Sequence, residues 1–470
     1  METILTESND FVIRLVAESL KNLESEKGLS EFTDDLYKHF METGKKTIEF
    51  MLNYAEEIIF KIPDRKNNYT SLEIDDRKIL TIFGNVEFKR RYYENKETKV
   101  KTYLLDEYFK LEKKERMLSN VEEKLIEEAI VTTYEHAGEL AAYGEKITRQ
   151  TVKNKIRNTK VIDFSKISEE KKKIKILYVI ADEDHVALQK GGIEEPRFVM
   201  VYENFAMTGK RVKLLNKKHF GGLYKGRIDD LWEKVATYID DTYDTEYLET
   251  VYISGDGASW IKTGAEWIIK SKYVLDRFHL KQAINAIVGK ESKDIEDIAL
   301  KREYKIRIYR SLHKLDFEEL KEIVYEILAE EMEQNRRERK VKLLNYLLKN
   351  KIGITNLYKY KKELHGCSAE GHVSHIYSDR LSSRPKGWCI PNLDNMSRLR
   401  IYKANDEKVK DLIVERNKVV KFEEIKNIEK PIRRYMKKVN FNPVSIPIMT
   451  YGTEEERIFF KNLLSYKKLA

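Results

Sequence analysis

Ile174-Lys-Ile-Leu-Tyr-Val-Ile-Ala-Asp-Glu-Asp-His185 is the stretch whose reading decides the fold. Its apolar run is short, rich in β-branched and aromatic residues, and bounded by Lys171-Lys-Lys and by acids. That pattern predicts a buried strand with Asp182 at its end. Outward from it, Arg197-Phe-Val-Met-Val-Tyr202 and Val212-Lys-Leu-Leu215 read as two further strands. Residues 228–240 carry an amphipathic helical stripe through Leu231, Val235, Tyr238 and Ile239. Thr250-Val-Tyr-Ile-Ser254 is a fourth strand ending at Gly255-Asp256-Gly257, residues 260–270 are helical, and Tyr273-Val-Leu275 is a short fifth strand ending at Asp276. Three strands, then helix, strand, helix and strand, predict an α/β (mixed α+β) core: a mixed sheet covered by helices.

Further out, residues 8–61 are helical in period, with one stripe through Phe11, Leu15, Ala17 and Leu20 and another through Ile48, Met51, Leu52, Ala55 and Ile59. Lys78-Ile-Leu-Thr-Ile-Phe83 and Val86-Glu-Phe-Lys-Arg-Arg-Tyr-Tyr93 flank Gly84-Asn85 and predict a hairpin. After a helical stretch at 119–142, a break at Gly144 and an N-cap at Thr148 give the pattern of a helix-turn-helix. Its second helix would turn Val152 and Ile156 inward and offer Arg149, Gln150, Lys153 and Asn154 to base edges or phosphates. The plainer alternative is a helical hairpin with a solvated basic face. From about 280 to 360 the sequence is helical and highly charged, including Arg336-Arg-Glu-Arg-Lys340; residues 365–400 break that pattern. The expected division is 1–115 (N-terminal helices and hairpin), 116–165 (helix-turn-helix region), 166–289 (first part of the core), 290–360 (all-helical insertion), 361–400 (completion of the core) and 401–470 (basic helical region).

With 88 Lys+Arg against 79 Asp+Glu the chain carries +9, which favours a polyanionic partner without requiring one. Two cysteines, Cys367 and Cys389, exclude a disulfide framework and fit a reducing compartment. The N-terminus has neither a basic start nor an apolar core, and no apolar run reaches the ~20 residues that span a bilayer. The expectation is an intracellular protein with no membrane partner, cytoplasmic and nucleoid-associated when bound to DNA.

Asp182 and Asp256 each end a strand, where a sheet fixes the backbone and leaves the side chain reachable. Paired carboxylates are hard oxygen ligands suited to Mg²⁺ or Mn²⁺, and two such ions activate an attacking oxygen and stabilise a leaving one at phosphorus. A third carboxylate is needed, and Glu370, opening a helical run, is the candidate. Asp184 competes with Asp182, since strand alternation puts both on one face. Cys367, His372, His375 and Cys389 admit a zinc reading, but their spacing is not that of the usual fingers. Trp260 and Trp267 read as core residues rather than stacking platforms. No Arg-His-Arg constellation accompanies any of the 28 tyrosines to suggest a tyrosine recombinase.

Several motifs together carry a resemblance: Ala181-Asp-Glu-Asp-His-Val-Ala-Leu-Gln189, Gly255-Asp-Gly-Ala-Ser-Trp260, Val274-Leu-Asp-Arg-Phe-His-Leu280, Cys367-Ser-Ala-Glu-Gly-His-Val-Ser-His375, Ser382-Ser-Arg-Pro-Lys-Gly-Trp388 and Asn395-Met-Ser-Arg-Leu-Arg400. Over roughly residues 75–400 the chain resembles the insertion-sequence transposases of the ISLre type, relatives of the Mutator-like transposases. The resemblance implies a ribonuclease-H-like catalytic core interrupted by an all-helical insertion, with Asp182, Asp256 and Glu370 as the metal-holding triad. Asp276-Arg-Phe-His279 looks like the Asp-x-x-His signature of the Mutator-like enzymes, with His279 bonding a phosphate or orienting DNA. It further implies double-stranded DNA as partner, both transposon ends and target, and a homo-oligomer on DNA. The alternatives are a nuclease of the same fold that does not transpose and a DNA-binding protein whose catalytic centre has decayed.

Overall fold

A computed structural model describes residues 28–161, 170–208, 211–289, 295–364, 369–383 and 387–416. The chain divides into two compact units, Met1–Lys410 and Asp411–Ala470, and only residues 411–416 of the second are described. The first is a mixed α+β structure in which no described helix is long and apolar enough to cross a membrane.

Helix α1 (Leu29–Lys61) lays Ile48, Leu52, Ala55 and Ile59 against the hairpin of β1 (Tyr69–Thr81) and β2 (Gly84–Asn95), around Ile79, Val86 and Phe88. Met51, from the same predicted stripe, is exposed; the earlier stripe from Phe11 to Leu20 lies outside the described residues. The helical turn α2 (Pro63–Asn68) leads into the hairpin, and β3 (Lys101–Thr102) and α3 (Leu104–Phe109) come after it. The hairpin turn is Ile82-Phe83, not Gly84-Asn85: Thr81 Oγ1 accepts from Phe83 N at 3.1 Å and donates to Gly84 O at 2.9 Å, which closes the turn early.

Next, α4 (Ser119–Val131), α5 (Tyr134–Leu140) and α6 (Arg149–Asn158) pack on one another. Thr148 caps α6, its hydroxyl accepting from Thr151 N at 3.2 Å. The connection 141–148 passes through Gly144 and is longer than the roughly three- to four-residue turn of a helix-turn-helix.

The central sheet is built from β4 (Ile176–Glu183), β7 (Arg197–Tyr202), β10 (Lys218–Gly222), β11 (Thr250–Gly255) and β12 (Ser271–Leu275), in the order β10-β7-β4-β11-β12. The strands β10, β7 and β4 run antiparallel, while β4, β11 and β12 are parallel. Two small ribbons stand apart, β5 (Val186–Ala187) with β6 (Ile193–Glu194) and β8 (Asn204–Thr208) with β9 (Arg211–Leu215). The expected strand Val212–Leu215 therefore belongs to a separate ribbon, and the sheet takes Lys218–Gly222 instead. Gly221 and Gly222 conceal that strand from a propensity argument. A Cβ on Gly221 would lie 2.1 Å from the Tyr377 hydroxyl and 2.5 Å from Arg197 O, so no larger residue fits there.

Leu177, Val179, Ala181, Val251 and Ile253 face α7 (Ile228–Thr242) and α8 (Ser259–Trp267), burying Trp232, Val235 and Trp260. Strand alternation turns Tyr178, Ile180 and Asp182 to the opposite face. The C-terminal helices follow: α9 (Arg277–Val288), α10 (Ile295–Lys314), α11 (Phe317–Glu330), α12 (Gln334–Lys349), α13 (Lys351–Lys359), then α14 (Ala369–Val373), a wider π-turn (Ser374–Ser378), α15 (Asp379–Leu381) and α16 (Ile390–Ala404). Glu363, α14 and Tyr377 of the π-turn pack on that face. Tyr178 donates to Glu363 O at 2.9 Å and Asn356 donates to Tyr273 O at 2.8 Å, fixing the end of the helical block on the sheet.

Candidate active site at the strand ends

The register of the parallel strands sets three acids in a row. Ile180 pairs with Ser254, so two residues on Asp182 is level with Asp256; Gly255 pairs with Leu275, so one residue on Asp256 is level with Asp276. Adjacent strands lie about 4.8 Å apart, and alternation continued past the strand ends points all three carboxylates to the face that carries Tyr178 and Ile180. Asp276 N donates to Gly255 O at 2.9 Å, holding the last two positions together. Asp276 also caps α9, accepting from Phe278 N at 3.2 Å.

His279, one turn into α9, sets Nδ1 3.2 Å from Asp276 Oδ2. Its pKa is raised, first by that bond and then by the charges of Asp256 and Asp182, so the imidazolium is favoured. Asp182 is pushed up to about 6, chiefly by burial and further by Asp256, while the bond from Glu183 N and the charge of His279 oppose the rise. Four of the expected residues, Asp182, Asp256, Asp276 and His279, thus form one electrostatic cluster.

The loop carrying Asp256 is clasped from the helical block. Tyr346 donates its hydroxyl to Asp256 O. Gly257 has φ +98°, and a Cβ there would lie 2.5 Å from Asn350 Oδ1. Asn350 is itself buried, accepting from the Tyr273 hydroxyl at 3.2 Å and donating to Tyr346 O at 2.9 Å. Lys262 lies near enough that the Asp256 charge acts on it, although burial lowers its pKa.

Asp184 has other partners. It accepts from Ser382 Oγ at 2.9 Å, from Ser378 Oγ at 3.2 Å and from His185 N at 3.0 Å, and it is buried. It anchors the helical segment 369–381 to the end of β4. The same segment is held by Tyr377, which donates to Arg197 O at 2.9 Å, and by Arg400, which donates to His375 O and Ile376 O in the π-turn.

Glu370 lies on α14, which packs on β4 on the face that carries Asp182: His372 stacks at 6.4 Å on Phe198, the register partner of Asp182. Glu370 is two residues earlier, about 200° around a helix of 3.6 residues per turn, and is exposed. It is not among the charges that act most on Asp182 or His279. Among the described residues, no group of three or more His, Cys, Asp or Glu side chains is arranged to hold a metal ion.

Of the other expected residues, Arg149, Gln150 and Asn154 are exposed on α6 and Lys153 is half-buried, while Val152 and Ile156 are in the core. Trp260 is buried, donating to Glu183 Oε2 at 2.6 Å; Trp267 is a surface residue donating to Asp229 Oδ1 at 2.9 Å. Cys367 lies outside the described residues, and Cys389 Sγ bonds Asn392 Oδ1 at 3.1 Å. Within Arg336–Lys340, Arg336 pairs with Glu333 at 2.7 Å and Lys340 with Glu331 at 2.8 Å. Sequence reasoning missed Tyr346, Asn350 and Lys262, which read as ordinary positions of charged helices. It also missed Arg380 and Arg400, whose buried guanidiniums reach Ala129 O at 3.1 Å and Ile130 O at 3.2 Å.

The profile of the uncharacterised protein family (UPF0236) matches residues 23–449. A UPF0236 protein of Caldanaerobacter subterraneus subsp. tengcongensis, whose name spans eleven loci, is 34% identical over 411 residues, covering 87% of this chain and 84% of its own. A second from that organism, named for four loci, is 33% identical over 411 residues and covers 87% and 84%. A third, named for two, is 33% identical over the same length with 87% and 80% coverage. With its profile matched from the first helices through the acidic row and beyond, the chain belongs to the uncharacterised protein family UPF0236.

Proposed function

We propose that this protein is a DDE transposase of an insertion sequence, cutting DNA at the element's ends and joining the freed 3′-hydroxyl to target DNA. The observation that carries the reading is the row of Asp182, Asp256 and Asp276 at the C-terminal ends of three adjacent parallel strands, with His279 against it. Three antiparallel strands and then two parallel ones joined through helices support a ribonuclease-H-like core, and the helices from α10 to α13 stand where an insertion before the third acid would. The ISLre-type motifs fall on this framework. Relatives named for many loci of one genome fit an element that multiplies.

The donor set is the hard-oxygen type that suits Mg²⁺ or Mn²⁺, and the Asp182 carboxyl, raised chiefly by desolvation and further by Asp256, is short of positive charge. Asp182 and Asp256 would hold the ions, with Glu370 as third ligand. Such ions, when bound, supply charge neutralisation at phosphorus and a more acidic attacking water. The chain's own residues do the rest: Asp276 holds the proton on His279 Nδ1 and orients the ring, Tyr346 and Asn350 fix the Asp256 loop, and the exposed face of α6 reads the element's ends. Synapsis of two ends calls for a homo-oligomer on DNA. The exposed position of Glu370 favours, as a second reading, a DNA-binding protein of this fold that no longer cuts.

The test uses the purified protein and its Asp256→Asn variant on a labelled duplex of the element's end, with Mg²⁺, Mn²⁺ or EDTA. Nicking at the end that requires metal and is lost in the variant is expected. Tight end binding without nicking under either metal would overturn the enzyme and leave the second reading.

A further inference from the structure

One helix beyond the acidic row, α9, α10 and α13 enclose a cleft of about 270 Å³ that none of the roles above uses. Leu280 and Leu357 form its apolar floor, both nearly fully buried. Tyr309 and Tyr358 are its aromatic walls, and Arg277, Lys281 and Lys361 stand around it. Arg277, Leu280 and Lys281 occupy i, i+3 and i+4 of α9 and so form one face of the helix. That helix begins at Asp276 and carries His279, which at 3.6 residues per turn points roughly 150° away from the Arg277, Leu280 and Lys281 face, so α9 stands between the acidic row and the cleft. Arg277 and Tyr309 both act electrostatically on the Tyr358 phenol, which sets all three around one space. His313 meets Tyr358 edge-on at 5.5 Å and steadies that ring, while Tyr309 remains 38% exposed.

Apolar floor, two phenol rings and three cations have the chemistry of a site for one unstacked nucleotide: rings for the base, guanidinium and ammonium groups for its phosphates. The volume is near the lower bound of roughly 300 Å³ for ligand pockets, which suits a single nucleotide and is too small for a duplex. Resting on the DNA-processing reading above, we infer that this cleft captures a single-stranded nucleotide of the DNA strand being processed, stacking its base on Tyr309 and pairing its phosphates with Arg277, Lys281 and Lys361. Cutting beside a duplex end requires the strand to leave the helix, and a receptor for the displaced nucleotide across α9 from the acids would keep the parted strand from re-pairing.

The test measures binding of the full-length protein to a fluorescent oligodeoxythymidylate of ten nucleotides and to a blunt duplex of the element's end. Wild type is compared with Tyr309→Ala, with Lys281→Ala/Lys361→Ala, and with Tyr325→Ala on α11 as an exposed aromatic control. All these substitutions fall on exposed positions, and circular dichroism verifies the fold of each. Tyr309→Ala should weaken single-strand binding roughly tenfold, as loss of one base–aromatic stack does, and leave duplex binding and the control unchanged. The lysine pair should weaken single-strand binding and flatten its salt dependence by about two phosphate contacts. Single-strand binding that is undiminished in both variants would overturn the cleft while leaving the DNA reading intact. A wild type that binds neither DNA would overturn both.

Discussion

Asp182 and Asp184 stand two positions apart, and the fold uses them differently. Asp184 accepts from two serine hydroxyls and a backbone amide, so its charge is compensated within the protein. Asp182 has the bond from Glu183 N at 2.9 Å but lies beside Asp256, with burial holding its pKa near 6. Substitution should separate the two. Asp184→Ala strands Ser378 and Ser382 and should cost about 2 kcal/mol in urea denaturation. Asp182→Asn removes one of two adjacent half-buried carboxylates; in metal-free buffer it should leave stability unchanged or raise it by about 1 kcal/mol, while abolishing the proposed end cleavage. Cleavage that survives Asp182→Asn but not the milder Asp184→Asn would reverse the assignment. Glu370, being exposed, is a cleaner probe: Glu370→Gln should change stability by less than about 0.5 kcal/mol and slow cleavage at least about a hundredfold. If cleavage persists in Glu370→Gln and is lost in Asp276→Asn, the third acid is the one already in the row.

At the scale of elements, α6 faces two ways. Its inner side carries Val152 and Ile156, and its C-terminal carbonyls are capped from α16: Asn392 donates to Lys153 O at 2.9 Å and Asn395 to Ile156 O at 3.0 Å and Arg157 O at 2.7 Å. Its outer side offers Arg149, Gln150 and Asn154, the last two bonded to each other at 2.9 Å and Arg149 only 3.8 Å from Glu135. Under the proposed reading of the element's ends, such weak tethers would release to base edges. Arg149→Ala or Gln150→Ala should reduce the preference for the element's end over unrelated duplex by about tenfold, measured as a ratio of Kd values. Equal loss on both DNAs would assign the face to phosphate contact alone.

Much of this was legible in the residues. The run from Ile174 to Ala181 and the acids after Ser254 and Leu275 marked three strand ends, and Thr148 marked the start of α6. Three things were not. The third sheet strand was hidden because Gly221 answers to Tyr377, far away in sequence, rather than to local propensity. The turn at Ile82-Phe83 depends on one threonine hydroxyl. The row of acids depends on register between strands, and Asp276, expected only as a supporting residue, enters it only when β11 and β12 are paired.

At the scale of the whole Met1–Lys410 unit, the segment 369–404 ties distant parts together. Arg380 and Arg400 hold α4, Asn392 and Asn395 hold α6, and Asn405, just past α16, exchanges bonds with the backbone of His219 on β10 at 2.8 and 2.9 Å. His219 is 3% exposed, its Nδ1 lies 3.1 Å from Asn405 Oδ1, and burial lowers its pKa to about 4. An unfolded histidine titrates near 6.5, so between those values the unfolded chain binds a proton that the folded one refuses. The stability His219 contributes is therefore complete above pH 6.5 and is lost as pH falls toward 4, by about 2 kcal/mol already at pH 5. Because α16 is fastened to β10, α4 and α6 alike, protonation should loosen them together. Circular dichroism and tryptophan fluorescence, tracked in urea from pH 8 to pH 5, should shift in step, and His219→Gln should flatten that acid slope by about the same 2 kcal/mol while starting from a lower plateau. Fluorescence that shifts before circular dichroism would mean that the sheet and helices α4 and α6 part separately, and that the 369–404 segment does not couple them.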